Sequence, residues 1–267
     1  MKKRAPSSVK KIDTSLLSPD WLQLAFWPVF FTCQLIALAL LSWHLLAQIH
    51  FGYSAGYRLL GLDQHIAEFA PQNRFKEGFE LTTSEEHWRL FGEISDAVQN
   101  SGEGLDDILY KLPNGESTTL MHEAEIIHLQ DVANLIDVFY AVGLTCLVIW
   151  LGMIALAAWK AYRPPTTKKV MLGFVLGALV IALVVMLIGP TAVFYWFHLQ
   201  VFPEGHQWFF YYEDSLMTTL MKAPDIFAFI ALLLVTLLIS LWCLSTYFIN
   251  RLLINRLFVN RVLHSRR

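Results

Sequence analysis

The run HEAEIIHLQDVANLIDVFYAVGLTCLVIWLGMIALAAW, from His122 to Trp159, decides the fold. Its second part, Asp137–Trp159, is apolar almost without interruption, and a helix of that length crosses a hydrocarbon core ~30 Å thick. Its first part, His122–Val132, packs two histidines and three carboxylates into eleven residues. The pattern predicts one helix starting near Leu120 and running straight into a membrane span. The titratable cluster then occupies the exposed first turns of that helix, at the bilayer surface.

Working outward, three further apolar stretches have spanning length, at 24–47, 170–195 and 226–249. Of the 267 residues 55% are hydrophobic and only 16% are charged, a balance that excludes an ordinary soluble domain. The expected fold class is therefore an all-α membrane protein. It is a four-transmembrane-helix bundle with a small, mainly helical extracytoplasmic cap. The first span follows a basic start, MKKR with Lys10 and Lys11. Its apolar run is too long for a signal peptide, so it reads as an uncleaved anchor.

Basic residues set the expected orientation. Five Lys/Arg precede the first span, four lie in 160–169 and five follow from Arg251. By contrast, 48–136 carries five Lys/Arg against fifteen Asp/Glu, and 196–225 carries one against four. The Lys/Arg bias places both termini and the 160–169 loop in the cytoplasm. The expected segments are thus 1–23 cytoplasmic, 24–47 first span, 48–136 cap, 137–159 second span and 160–169 cytoplasmic loop. They continue as 170–195 third span, 196–225 outer aromatic loop, 226–249 fourth span and 250–267 basic tail. Cys33, Cys146 and Cys243 all fall inside spans, which argues against disulfide or thiol-relay chemistry at the outer face.

Within the cap, TTSEEHWRLFGEISDAV carries Thr83 three residues before Glu86, a capping-box pattern. Trp88, Phe91, Ile94 and Val98 follow at helical spacing and predict a packed stripe. QNSGEGLDD and LPNGES are turn chemistry. Pro190 predicts a kink in the last turns of the third span. The rings from Trp196 to Tyr212 predict a belt at headgroup level.

The residues able to do chemistry are few. His128 and Asp131 are three apart on one helix face, so the carboxylate can orient the ring and stabilise its protonated form. Glu125, one turn earlier, can do likewise. His198 lies at the outer end of the third span, at about the same depth. The plain alternative is a set of solvated helix ends. No Gly-x-Ser-x-Gly elbow is present, and HEAEIIH is not the His-Glu-x-x-His zinc motif. A bis-histidine haem on His128 and His198 fits poorly, because the flanking carboxylates suit proton transfer better. Neither a metal nor a cofactor is expected, and nothing points to nucleic acid.

EIIHLQDV before one span, FHLQVF after the next, and then Trp208, Asp214, Leu220 and Pro224 at spacing W-x5-D-x5-L-x3-P together resemble the lipoprotein intramolecular transacylase family, Lit. The resemblance covers roughly 24–249. It implies an enzyme of the bacterial cytoplasmic membrane, with its site at the outer leaflet. Its substrate is a diacylglyceryl lipoprotein, and the sn-2 acyl chain moves to the N-terminal cysteine amine, giving the lyso form. It implies His128 and His198 as the active-site pair, with Asp131 the orienting partner expected from spacing. Glu125, Trp208 and Asp214 are expected at the substrate, and membrane lipids as the surroundings. His206, the basic N-terminal stretch and the arginine-rich tail have no place in the resembled pattern. The alternatives are a phospholipid acyl hydrolase or transferase, and a non-catalytic membrane assembly or lipid-binding protein.

Overall fold

The computed structural model describes the chain from residue 20 to 265, with side chains from 25 to 256. The five basic residues expected in the N-terminal stretch, and Arg261, Arg266 and Arg267 of the tail, lie outside the residues with described side chains. Four helices are long and apolar enough to cross a membrane: α1 (Asp20–Ala47), α5 (Glu123–Lys160), α6 (Thr167–Ile188) and α9 (Asp225–Ser265). The fold class is the expected all-α membrane protein.

Two departures concern helix lengths. The α5 helix begins at Glu123 and runs without a break to Lys160. At 1.5 Å per residue it spans ~57 Å, so its first turns stand clear of any ~30 Å apolar slab. The α9 helix continues well past residue 249, through most of the expected tail. The expected kink at Pro190 is a full break. Gly189 sits at φ 94°, ψ 130°, a conformation open to a residue without Cβ, and α7 (Pro190–Val201) starts afresh behind it.

The helices α1 and α5 pack closely because Gly143 faces Leu40. A Cβ at Gly143 would meet the Leu40 side chain at 2.6 Å, too near for any other residue without a shift. Between α1 and α9, Gln34 is buried and its Nε2 donates to Ser245 Oγ (2.8 Å) and Thr246 Oγ1 (3.0 Å). Hydrogen bonds of this kind register helices where apolar packing alone is indifferent. By contrast α6 buries no side chain and presents apolar residues all round, as a lipid-facing helix does.

The cap comprises α2 (Tyr53–Leu59), α3 (Leu62–Phe69), α4 (Ser84–Gln99) and a hairpin of β1 (Leu109–Lys111) and β2 (Ser117–Thr119). The hairpin pairs Leu109 with Thr119 and Lys111 with Ser117 in antiparallel register, and LPNGES supplies its turn. Thr83 caps α4 by accepting from the Glu86 N–H (3.3 Å), as its spacing predicts. The Glu86 carboxylate does not return the bond; it holds Arg89 and the Lys111 N–H instead. Phe91, Ile94 and Val98 are buried and Trp88 packs at the edge, so the stripe faces the core. That core joins the cap to α8 (Leu216–Met221) and to the start of α9 through Tyr53, whose hydroxyl donates to Leu220 O (2.7 Å).

His87 is locked neutral inside the cap. The Thr82 hydroxyl donates to Phe79 O (2.6 Å), so it accepts from His87 Nε2–H (2.8 Å); Nδ1 then accepts from the Tyr57 hydroxyl (2.8 Å). Burial lowers the His87 pKa to about 4 from an ordinary 6.5. A depressed histidine pKa means that the unfolded chain binds the proton first. The contribution is therefore complete above pH 6.5 and is lost as pH falls towards 4, by up to about 3 kcal/mol. Thermal unfolding in detergent should show this as a fall in Tm between pH 7 and 4.5 that is shallower in His87→Gln. Equal slopes in both proteins would remove His87 as the cause.

Candidate active site

Glu125 organises the start of α5. Its Oε2 accepts from the backbone N–H of His122 (2.8 Å), the helix N-cap. Its Oε1 accepts from Ser215 Oγ (2.5 Å) and from the Met217 N–H (3.1 Å). The side chain is 1% exposed. The sequence suggested Glu125 as a substrate contact; the fold places its side chain in the interior. It is a buried tie between α5 and the loop that precedes α8, with both carboxylate oxygens engaged.

Asp214 behaves similarly. Its Oδ1 accepts from Arg74 Nη1 (2.9 Å), while its carbonyl meets His122 Nε2 (3.0 Å). The Arg74 N–H also donates to Glu213 O (2.8 Å). Asp214, the expected substrate contact, forms a clamp between cap and aromatic loop through one carboxylate oxygen. Neither tie could be read from sequence, because the partners are 90 or more positions apart.

The two histidines singled out by the sequence come together around Phe202. The His128 ring centroid lies 4.9 Å from that of Phe202, and the His198 centroid 5.3 Å from it. Phe210 completes the aromatic wall on the His128 side (5.9 Å). Trp208 packs on His198 at 4.8 Å, so of the three expected substrate residues it alone stands beside a candidate catalytic ring. His198 Nδ1 is bonded to Phe194 O (2.8 Å), an oxygen that can only accept. The proton is thus on Nδ1, and Nε2 keeps a free lone pair. Burial lowers the His198 pKa, with the Phe194 carbonyl pulling the other way, and this favours the neutral, basic ring. His128 Nδ1 is buried and has no hydrogen-bond partner among the described residues. A buried polar atom left open beside a second histidine is what a site awaiting a polar substrate group presents.

Asp131 corrects the pairing read from the helix. It shares the His128 face, but its Oδ2 accepts from Nδ1 of His206 at 2.6 Å. His206 reaches α5 from a turn in the loop, where its N–H donates to Pro203 O (3.2 Å) and Gly205 takes φ 88°. A turn-forming Pro-x-Gly just before His206 is the one local signal in the sequence that aims this ring. Among the described residues no group of three or more His, Cys, Asp or Glu comes together as a metal site.

The geometry draws on α5, α7 and the loop to α8, and the family comparison covers that same region. Residues 106–223 match the model of the family described as Lipoprotein intramolecular transacylase Lit. Over those residues the chain is similar to the Lit family. The resemblance read from the histidine motifs is borne out over 106–223, within the 24–249 it was expected to cover, and that family is one of acyltransferase enzymes. The Lit match takes in His128, Asp131, His198, His206 and Trp208, and also the Glu125 and Asp214 ties. No curated protein and no solved structure matches the chain.

Proposed function

We propose that this protein moves the sn-2 acyl chain of a diacylglyceryl lipoprotein to the α-amine of its N-terminal cysteine. The observation that carries the reading is the meeting of His128 and His198 on one phenylalanine, within the Lit match. Donor ester and acceptor amine belong to one molecule, so no enzyme nucleophile is needed. Holding them in attack geometry lowers the barrier by several kcal/mol, because effective molarities reach ~10⁵ M or more.

In this mechanism His198 Nε2 takes a proton from the amine as it attacks the ester carbonyl, and the same nitrogen protonates the departing glycerol oxygen. His128 donates a hydrogen bond to the oxyanion. The C–N bond forms, the C–O bond breaks, and the products are an amide and a free sn-2 hydroxyl. Trp208 and the exposed rings of α7 seat the acyl chain, and the acidic cap covers the first residues of the lipoprotein. Both termini lie in the cytoplasm of a bacterial cell, and the site opens at the outer leaflet. This orientation rests on the Lys/Arg bias.

The test is expression with a model diacyl lipoprotein in cells lacking other N-acylating enzymes, followed by mass spectrometry of the N-terminal lipopeptide. An N-acyl, mono-O-acyl cysteine is expected. An unchanged diacyl form with a free amine, in well-expressed membranes, sinks the proposal.

A further inference from the structure

We propose that His206, held by Asp131, is the proton outlet of the site. This goes beyond the two-histidine reading and rests on the transacylase function proposed above. The need for an outlet follows from the atoms. At neutral pH the substrate amine enters as an ammonium, since an α-amino group has a pKa of about 7.7–8.0. The ammonium loses two protons in becoming an amide nitrogen. One returns to the glycerol oxygen; the other must leave for bulk water.

Of the three histidines, only His206 is built for the proton that leaves. Its side chain is 41% exposed, whereas His128 and His198 are packed among rings. Its Nδ1 donates to Asp131 Oδ2 at 2.6 Å, and Asp131 is itself only 13% exposed. A carboxylate in that position fixes the tautomer that leaves Nε2 its lone pair, and stabilises the imidazolium once it forms. Nε2 has no hydrogen-bond partner among the described residues. Asp131 is the charged group bonded to the ring from α5, and Glu204 is the charged residue of its own loop, two positions earlier. The carrier sits on the same elements as the chemistry. Asp131 is one helical turn from His128, and His206 is four residues after Phe202 and two before Trp208. His206 Nε2 takes the first proton from the bound ammonium and passes it to water. His198 then handles the second in place.

The experiment follows lyso-product formation from a synthetic diacyl lipopeptide by purified protein in detergent, between pH 6.5 and 9. Wild type, His206→Gln, Asp131→Asn and His128→Ala are compared, each checked for unchanged Tm. Without an outlet only the neutral fraction of the amine reacts, about one part in twenty at pH 6.5. The ratio of wild-type to His206→Gln rates is therefore expected to be about 20 at pH 6.5 and to fall below about 2 at pH 9, following the substrate amine's titration. Asp131→Asn should follow the same curve, because it keeps a hydrogen-bond acceptor and loses only the charge. A ratio independent of pH, or no defect at pH 6.5, overturns the outlet; the former would make the pair a loop clamp. His128→Ala should be inactive across the range. Activity there would count against the underlying mechanism instead, so the two failures are separable.

Discussion

His198→Phe should abolish N-acylation while leaving the protein folded. His198 Nε2 is the nitrogen with a free lone pair, because Nδ1 is committed to Phe194 O. Phenylalanine keeps an aromatic ring against Phe194, Phe202 and Trp208 and removes only the nitrogens. General base catalysis contributes roughly 10²–10⁴-fold, and a fall of that size is expected in the rate of lyso-product formation. His128→Ala should fall comparably, since its open Nδ1 lies in the same aromatic enclosure. Insertion and thermal stability, read by membrane fractionation and Tm, should stay near wild type for His198→Phe. A phospholipid acyltransferase would lose activity in the same variants but would leave the lipoprotein diacylated in wild type, with acyl transfer seen in the lipid fraction. A non-catalytic assembly factor would keep its phenotype in His198→Phe. Retained N-acylation in that variant would remove the proposed base.

Glu125→Ala should be destabilising, for a different reason. The substitution strands the Ser215 hydroxyl and the His122 and Met217 amides in a site with almost no solvent access. Hydrogen bonds to a charged acceptor are worth roughly 1.5–3 kcal/mol each, and unsatisfied buried donors add to the loss. A total of about 3 kcal/mol or more is expected, which for a chain of this size lowers Tm by roughly 10 °C. Glu125→Gln should lose less. Its amide oxygen can still accept from Ser215 and Met217, whereas its NH₂ meets the His122 N–H donor to donor. Activity should fall in parallel with stability in both. An unchanged Tm with a raised KM for lipopeptide would restore the substrate contact that the sequence suggested and remove the structural tie.

Features with a short physical range were legible in the sequence. Four apolar runs of spanning length became four long apolar helices, because hydrophobic transfer and backbone satisfaction in lipid leave a chain little choice. The Thr83 cap and the Phe91, Ile94, Val98 stripe followed from spacings of three and four residues. His128 and His198 were conspicuous because titratable rings are rare at the ends of apolar helices. Less was legible where a local signal had two readings. Gly189-Pro190 broke the helix instead of bending it, since glycine could take a positive φ that no other residue there would hold easily.

The pairings were decided by the tertiary structure alone. Helical spacing offered His128 and Asp131 to each other, yet the carboxylate turned to His206, 75 positions away, when the loop folded back onto α5. Glu125 was drawn inside by donors 90 and 92 positions later, and Asp214 by Arg74, 140 positions earlier. A sequence records which side chains can accept or donate and which face of a helix they share. Which of several competent partners is taken depends on where distant segments dock, and that is settled by packing across the whole chain. By itself, then, the sequence determined the membrane architecture and singled out the two histidines that the fold brings to one phenylalanine. The fold determined which carboxylates stabilise it and which histidine meets the solvent.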